Sequence, residues 1–329
     1  MRKITKTLFA VLSSFAISVS SFAGELSVSG SATGTYVVGG ASQHQSKGLG
    51  ITNELNFTAA GELDNGYAWT YSMELDDAAT KNDDTQIKLT GDLGTFGLCI
   101  SECGLSVELD YGVGAVGTGS DYINTSTVTW GFDVSSYNNV QFHLPADLLP
   151  YSTTVKVGLT PGGAGGSANA SSHSVNGDVN GEMKQYAVTT QPLDGLTISG
   201  SYYDFGEMGK SDARQAAEGG SLAANYSIGQ FSFGYGETIH APAQGMNGAA
   251  ATNKTDYYEN KGFSLGFAAN DNLSISFTEE ESEINRKQKA QATDTITRSN
   301  VTMEIQTIDV AYTVGGATFS VSSSEATND

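Results

Sequence analysis

The chain lacks any apolar run long enough to form a membrane-spanning helix. Beyond its first two dozen residues, no segment reaches the ~20 apolar residues that such a helix requires. Basic residues are also scarce, with 16 Lys+Arg against 36 Asp+Glu and a net charge of −20. Binding of DNA or RNA needs a basic face, so the sequence argues against a nucleic-acid partner.

Patterns for catalysis and metal binding are missing as well. The four histidines stand far apart in the sequence, none of them with metal-ligand spacing: His44, His143, His173 and His240. No Gly-x-Ser-x-Gly elbow occurs, and no phosphate-binding loop leads from a strand into a helix. We therefore expect neither an enzyme nor a bound cofactor.

The first residues have the organisation of a secretory signal. Arg2, Lys3 and Lys6 form a basic start, residues 8–19 are apolar with serines among them, and Ser21-Phe22-Ala23 offers small residues for cleavage. A membrane anchor is the alternative, but the stretch is short and broken by serine. We expect cleavage after Ala23 and a mature domain of residues 24–329.

Seven short turns alternate with seven long loops along the rest of the chain. The turns are rich in Gly, Asn, Asp and Pro, which suit tight connections. They fall at 64–66, 92–94, 145–150, 192–195, 229–230, 270–272 and 315–316. A strand, a short turn, a strand and a long loop, repeated, is the pattern of an outer-membrane β-barrel.

The segments between turns and loops alternate apolar and polar residues, which indicates strands with two different faces. In Tyr67-Trp69-Tyr71-Met73-Leu75, for example, the residues between are Ala68, Thr70, Ser72 and Glu74. We expect fifteen strands, at about 25–36, 48–63, 67–76, 85–92, 94–99, 139–144, 151–160, 182–191, 196–206, 219–228, 231–239, 256–269, 273–281, 302–314 and 317–324. The polar face is mostly small and uncharged, which favours a water-filled lumen over a soluble sandwich.

Three segments carry a resemblance to a known family. Glu25-Leu26-Ser27-Val28-Ser29-Gly30 follows the signal directly, Gly91-Asp92-Leu93-Gly94-Thr95-Phe96-Gly97 is similar to a tight turn and fifth strand, and residues 138–145 look like a sixth strand entering a turn. In this order and spacing the chain resembles the general porins of Gram-negative bacteria. The resemblance implies a sixteen-stranded antiparallel transmembrane β-barrel, a location in the outer membrane, a homotrimer, and passive diffusion of small hydrophilic solutes and ions.

The longest loop, residues 100–138, stands where porins have the loop that folds inward and constricts the pore. Its acidic residues are Glu102, Glu108, Asp110, Asp121 and Asp133, and no Lys or Arg occurs from Leu89 to Val155. Acidic groups in a narrow pore favour cations. Lys88 and Lys156, each flanked by apolar residues of the opposite face, are the candidates for opposing basic groups on the wall.

The only two cysteines, Cys99 and Cys103, lie where the fifth strand ends and this loop begins. An exported chain meets an oxidising compartment, so we expect a disulfide that closes a small local loop. A two-cysteine metal half-site is the alternative, but no histidine lies near enough in sequence to complete it.

The C-terminal residues, Ser324 to Asp329, differ from the aromatic-ended final strand of porins. Fifteen strands would leave the first and last facing each other in parallel, with unpaired edges in lipid. We expect that a sixteenth strand is missing from this sequence.

Two alternatives remain open. A secreted or surface-attached β-adhesin would share the Gly/Ser/Thr-rich composition, and it would extract without detergent. Acidic clusters at Asp76, Asp77, Asp83 and Asp84 and at Glu279, Glu280, Glu281 and Glu283, expected in outer loops, offer oxygen ligands for weak binding of Ca²⁺, although solvated acidic loops are the better account of them.

Overall fold

The computed structural model shows one large antiparallel sheet that runs through almost the whole mature chain. It describes residues 25–37, 48–76, 81–100, 105, 139–145, 147–160, 183–205, 213–215, 218–241, 244–245, 254–289, 296–315 and 317–328. Its strands are β1 Glu25–Val37, β2 Gly48–Glu62, β3 Ala68–Asp76, β4 Lys81–Gly91, β5 Gly94–Ile100, β6 Asn139–His143, β7 Thr154–Thr160, β8 Met183–Leu193, β9 Leu196–Phe205, β10 Ala213–Gln215, β11 Glu218–Ile228, β12 Phe231–Ala241, β13 Gln244–Gly245, β14 Lys254–Ala268, β15 Leu273–Lys289, β16 Ile296–Val314 and β17 Ala317–Asn328.

Fifteen of these strands pair in the order in which they occur along the chain, each antiparallel to the next. The short strands β10 and β13 pair only with each other, outside the large sheet. Strands β1 and β17 form the two edges, and no ladder between them occurs in the described part of the chain. This up-and-down order confirms the predicted all-β antiparallel barrel class.

The fifteen predicted strands correspond one to one with those of the large sheet. The main errors concern where strands end near the long loops. Strands β15 and β16 extend to Lys289 and begin at Ile296, well beyond the predicted 281 and 302. Glu279, Glu280, Glu281 and Glu283 were expected in an outer loop, and this expectation is wrong because they all lie within β15.

The other acidic cluster was partly misplaced as well. Asp76 is the last residue of β3, and Asp83 and Asp84 lie in β4, which begins four residues earlier than predicted. Asp77 lies outside the described residues. The backbone here continues to pair although the side chains no longer alternate in polarity, so periodicity alone could not find these strand ends.

Glycine at the short turns has the backbone conformation for which it was predicted. Gly66, Gly94, Gly195, Gly229 and Gly315 all have positive φ, between 57° and 130°. The turn at 145–150 is different, since a single 3-10 turn at Pro150–Ser152 places Tyr151 and Ser152 at positive φ. We call the end of the sheet that holds these connections the turn end, and the opposite end the loop end.

The two faces of the sheet are inverted relative to a soluble protein. The apolar face, here called the outer face, carries large exposed side chains such as Phe233, Leu265, Ile275 and Val310. The inner face holds side chains that are polar and buried, including Gln185, Asn260, Ser264 and Ser282. An extensive exposed apolar surface marks contact with lipid or with other protein, and here it extends around the whole sheet.

On one side of the sheet, the residues of the outer face change from apolar to charged or polar between the turn end and the loop end. Counting from the turn end, β15 presents Leu273, Ile275 and Phe277 and then Glu279, Glu281 and Glu283. Strands β14 and β16 likewise change to charged or polar residues after three or four apolar ones, and β12 has Glu237 after three apolar residues, followed by the exposed Ile239. Polar side chains pair there, as Lys261 Nζ lies 2.8 Å from Glu259 Oε1 and Gln306 Nε2 donates to Glu279 Oε2 at 3.0 Å.

Strands β1 and β2 show no such change. The outward residues of β1 are Leu26, Val28, Gly30, Ala32, Gly34 and Tyr36. Those described for β2, from the turn end, are Gly61, Ala59, Phe57, Leu55 and Ile51. The described outward side chains of this part of the outer face therefore carry no charge as far as Tyr36 and Ile51.

Candidate channel constriction

The inner face is lined mainly by hydroxyl and amide side chains. Cross-strand pairs bind one another directly: Asn260 Nδ2 donates to Thr238 Oγ1 at 2.9 Å, and Ser282 Oγ donates to Asn260 Oδ1 at 2.6 Å. Short uncharged side chains of this kind, paired with one another across strands, are typical of a polar channel wall.

Three basic side chains gather on the inner face of β4 to β7. Lys88 lies on β4 and Lys156 on β7, where Lys156 is the cross-strand partner of His143. Lys156 and Lys88 are close enough to interact electrostatically with each other and with His143. Each lies within a few residues of a short turn, so this cluster is near the turn end.

A glycine and a glutamine shape the same patch. A Cβ at Gly97, the partner of Lys88 on β5, would lie 3.9 Å from Lys88 Cγ and 3.5 Å from Gln141 Cβ. Both are ordinary contact distances, so the stem of Lys88 and Gln141 lie beside the backbone of Gly97. The Gln141 amide oxygen lies 2.8 Å from His143 Nε2, which orients the imidazole within the patch.

Beyond Ile100, which ends β5, the predicted constriction loop has one described residue, Leu105, and it lies on the inner side of the sheet. Its side chain is buried at 5% exposure, and its backbone N–H donates to Gln185 Oε1 on β8 at 2.9 Å. Its side chain also packs over Gly158 on β7. Leu105 therefore lies against the inner wall formed by β7 and β8.

The predicted acidic residues of this loop, Glu102, Glu108, Asp110, Asp121 and Asp133, lie outside the described residues. Their position in the pore stays a prediction. Cys99 faces inward at the end of β5, is buried, and is disulfide-bonded. The other cysteine of the chain, Cys103, also lies outside the described part.

Two inward carboxylates were missed by reasoning from the sequence. Glu280 on β15 and Asp309 on β16 are buried on the inner face, at 2% and 0% exposure. Every second residue of a strand lies on the same face, so Glu280 follows Ser276 and Thr278 on the inner face of β15. By the same rule Asp309 follows Thr307 on the inner face of β16. In the order of the sheet, β15 and β16 lie about half a sixteen-stranded circumference from β4 and β7.

An aromatic group on the inner face near the loop end was also missed. Tyr203 of β9 and His240 of β12 share a hydrogen bond between the tyrosine hydroxyl and Nδ1, and His240 stacks on Tyr258 of β14 with ring centroids 5.9 Å apart. These residues come from strands that are not consecutive in sequence. Only knowledge of the register between neighbouring strands could bring them together.

Among the described residues, no group of three or more His, Cys, Asp or Glu side chains has the arrangement to hold a metal ion. Within the same described ranges, none of the helical segments is long and apolar enough to cross a membrane.

The sequence matches no family model and no curated protein. Solved structures match it by fold. A porin superposes with a TM-score of 0.59 at 14% identity, over 93% of this chain and 95% of that one. The outer membrane protein OmpT of Vibrio cholerae, in its trimer form, gives 0.57 at 12% identity, over 93% and 90%. A loop L8 deletion mutant of OmpT gives 0.53 at 12%, over 93% and 97%.

These identities are low, and the likeness concerns the fold alone. It extends over more than nine-tenths of the chain and of each matched protein. Together with the inverted faces of the sheet, it shows that the chain has the antiparallel β-barrel fold of outer-membrane porins.

Proposed function

We propose that this chain forms a water-filled channel that carries small hydrophilic solutes and ions passively across the outer membrane. The observation that supports this most directly is the inversion of the sheet, with an apolar outer face and a hydroxyl- and amide-lined inner face. A soluble adhesin has no reason to expose an apolar surface around its whole sheet. Transport through such a channel needs no catalytic residue, cofactor or resident metal.

The constriction forms where the loop of residues 100–138 enters the lumen. Leu105 supports this, because it is the first described residue after β5 and it lies against the inner wall at β7 and β8. In this proposal the loop acids Glu102, Glu108, Asp110, Asp121 and Asp133 face the lumen. A Cys99–Cys103 disulfide then stiffens the root of the loop, since disulfide-bonded Cys99 is buried on the inner face.

The channel prefers cations in this proposal. Acidic groups outnumber basic ones more than twofold in the chain, and a narrow low-dielectric passage concentrates their field. Lys88 and Lys156 supply the opposing basic wall of the constriction. Glu280 and Asp309, on the far side of the sheet from these lysines, add negative charge to the opposite wall.

The barrel closes through a sixteenth strand in this proposal. Strands β1 and β17 run in the same direction, so a single strand antiparallel to both can pair with each edge. Unpaired backbone groups in lipid cost several kcal/mol each, which makes an open sheet untenable in a membrane. The intact mass of the protein extracted from outer membranes tests this, because a closing strand adds roughly 10 residues to the described sheet.

Three copies assemble around the uncharged side of the barrel formed by β1 and β2. The resemblance to porins points to a trimer, and the matched OmpT structure was described in a trimer form. The signal peptide at residues 1–23 directs export and is removed after Ala23, which the N-terminal sequence of the exported protein would reveal.

The decisive experiment is conductance in planar lipid bilayers with protein extracted in detergent from outer membranes. We expect stepwise openings, and a reversal potential in a KCl gradient that shows preference for K⁺. Openings that prefer Cl⁻ would support the proposed channel but contradict its preference for cations. Protein that stays soluble without detergent and never conducts would overturn the channel and favour the adhesin.

A further inference from the structure

We propose that Gln185 is a positioning residue, which holds the start of the constriction loop against the inner wall in a seat provided by Gly158. This inference rests on the proposed channel function and adds to it the contact that determines how far the loop reaches into the lumen. We call the set Leu105, Gln185 and Gly158 the loop clasp.

The hydrogen bond of the loop clasp links residues that are 80 positions apart in sequence. The Leu105 N–H donates to Gln185 Oε1 at 2.9 Å, and Gln185 is completely buried. With water excluded, neither partner has a substitute, so breaking this bond leaves a buried donor or acceptor unsatisfied. The bond therefore holds the backbone of the loop itself rather than a flexible side chain.

Neighbouring groups fix the orientation of the Gln185 amide. Its Nε2 points towards Thr160 Oγ1 at 3.4 Å and towards Met183 Sδ at 4.0 Å. Since the amide nitrogen is directed to the wall, its oxygen is presented to Leu105. Gln185 thus has one orientation in which all its contacts are made.

Gly158 supplies the space for the leucine side chain. A Cβ at this position would lie 3.4 Å from Leu105 Cδ1 and 3.7 Å from Leu105 Cγ. Other inward residues of β7, such as Lys156 and Thr160, carry side chains that would occupy this volume. A branched side chain at position 158 would push Leu105 away from the wall and lengthen its hydrogen bond to Gln185.

The position of Leu105 relative to β5 shows where around the sheet the clasp holds the chain. Strand β5 ends at Ile100, and five residues later the chain lies against β7 and β8, two to three strands away around the sheet. Adjacent strands are about 4.8 Å apart, so Leu105 lies roughly 10–14 Å around the sheet from β5. The clasp therefore holds this residue against a part of the wall that does not adjoin the strand before it.

The test compares two disrupting variants on different strands with a rescue and a control. Gln185→Met removes the acceptor at nearly constant volume, and Gly158→Val fills the seat. Gln185→Glu, as the neutral acid that complete burial favours, keeps an oxygen for Leu105 and a donor for Thr160 at the same reach, and it should restore the bond. Thr189→Val alters another inward residue of β8, four positions nearer the turn end, and touches no member of the clasp.

Two readouts are measured on each folded variant, checked by its heat-modifiable mobility on gels. The first is single-channel conductance. The second is the rate of cleavage after Glu108 by a glutamate-specific protease, followed by mass spectrometry, which does not depend on conduction. We expect both disrupting variants to conduct more and to be cleaved about tenfold faster, since that is the scale of losing one buried hydrogen bond. Gln185→Glu and Thr189→Val should behave like the parent protein.

Unchanged conductance and unchanged cleavage in both disrupting variants, with a parent protein that conducts, would overturn the clasp. A parent protein that never conducts, together with faster cleavage in the two variants, would refute the channel and leave the clasp standing. Equal changes in Thr189→Val would show general loosening of the barrel, which also overturns a specific role for Gln185.

Discussion

Lys88 and Lys156 lie on the inner face, and their positive charge opposes the preference for cations that we propose for the channel. We expect Lys88→Met and Lys156→Met to shift the reversal potential towards stronger K⁺ preference, additively if the two lysines act as separate charges. The matched control is Lys184→Met, because Lys184 lies on the outer face of β8 and its removal changes the net charge equally. A shift as large in the control would mean that total charge, and not the wall of the constriction, determines selectivity.

Gly195 is a turn residue whose backbone geometry and close neighbour should both oppose substitution. It has φ +75°, and a Cβ there would collide with the carbonyl oxygen of Ser227, whose N–H donates to the Gly195 carbonyl at 2.9 Å. Gly66 has a similar φ of +82° but open space around it. We expect Gly66→Ala to lose ~1–2 kcal/mol from backbone strain alone, and Gly195→Ala to lose more.

Thermal unfolding in detergent, followed by gel mobility, gives the order of stability for these two variants. Equal losses of stability in the two variants would show that the backbone at Ser227 moves away from the new methyl group without a measurable loss of free energy. The sequence predicted both glycines as turn residues, from the chemistry of short turns. It could not predict which of them meets a neighbouring strand, because that depends on the stagger between hairpins.

Orientation of single side chains was the best-predicted property at this scale. Alternation with Ile87 and Leu89 placed Lys88 inward, and alternation with Val155 and Val157 did the same for Lys156. The clasp between Leu105 and Gln185 had no signal in the sequence, because a backbone N–H carries no residue identity and its partner is 80 positions away.

At the scale of strands, the sequence located every strand of the large sheet but ended some too early. The reason is visible in β15, where the apolar outer residues Leu273, Ile275 and Phe277 give way to glutamates while the backbone continues to pair as far as Lys289. The alternation of apolar and polar residues extends only as far as the apolar belt. Backbone pairing continues to the end of the strand. The two differ wherever a strand rises beyond lipid.

This difference can be tested on β15 alone. Ile275→Arg places a charge on the outer face within the apolar belt, where we expect a loss of ~2–4 kcal/mol of folding free energy in lipid vesicles. Glu281→Arg places the same side chain on the same face, three outward positions further from the turn end, and should cost little. Urea-induced unfolding in vesicles measures both. A comparable loss in Glu281→Arg would show that lipid also covers this level.

Strands β10 and β13 were not predicted at all. They are three and two residues long, and each belongs to a different long connection. Segments of this length contain no measurable period, so pairing between connections is a property of the folded molecule and not of either segment.

For the whole molecule, the outer face is divided into a charged side and an uncharged side. Outward glutamates lie above the apolar residues of β12, β14, β15 and β16, whereas the described outward side chains of β1 and β2 carry no charge. Charged residues above an apolar belt suit the polar layer outside a bilayer. An uncharged wall at the same height would be in contact with water in a single barrel, which favours its burial against other copies.

We therefore expect Ile51→Arg, on the uncharged side, to convert trimers to monomers on native gels in mild detergent while each barrel remains folded. Ile51 is exposed and is the sixth outward residue of β2 from the turn end, a level at which β15 already carries glutamate. Glu281→Arg, on the charged side, serves as the matched control and should leave the assembly intact, because it faces lipid headgroups or water. Trimers that survive Ile51→Arg but dissociate with Glu281→Arg would place the contact between copies on the charged side, with the paired groups Gln306 and Glu279 at its centre.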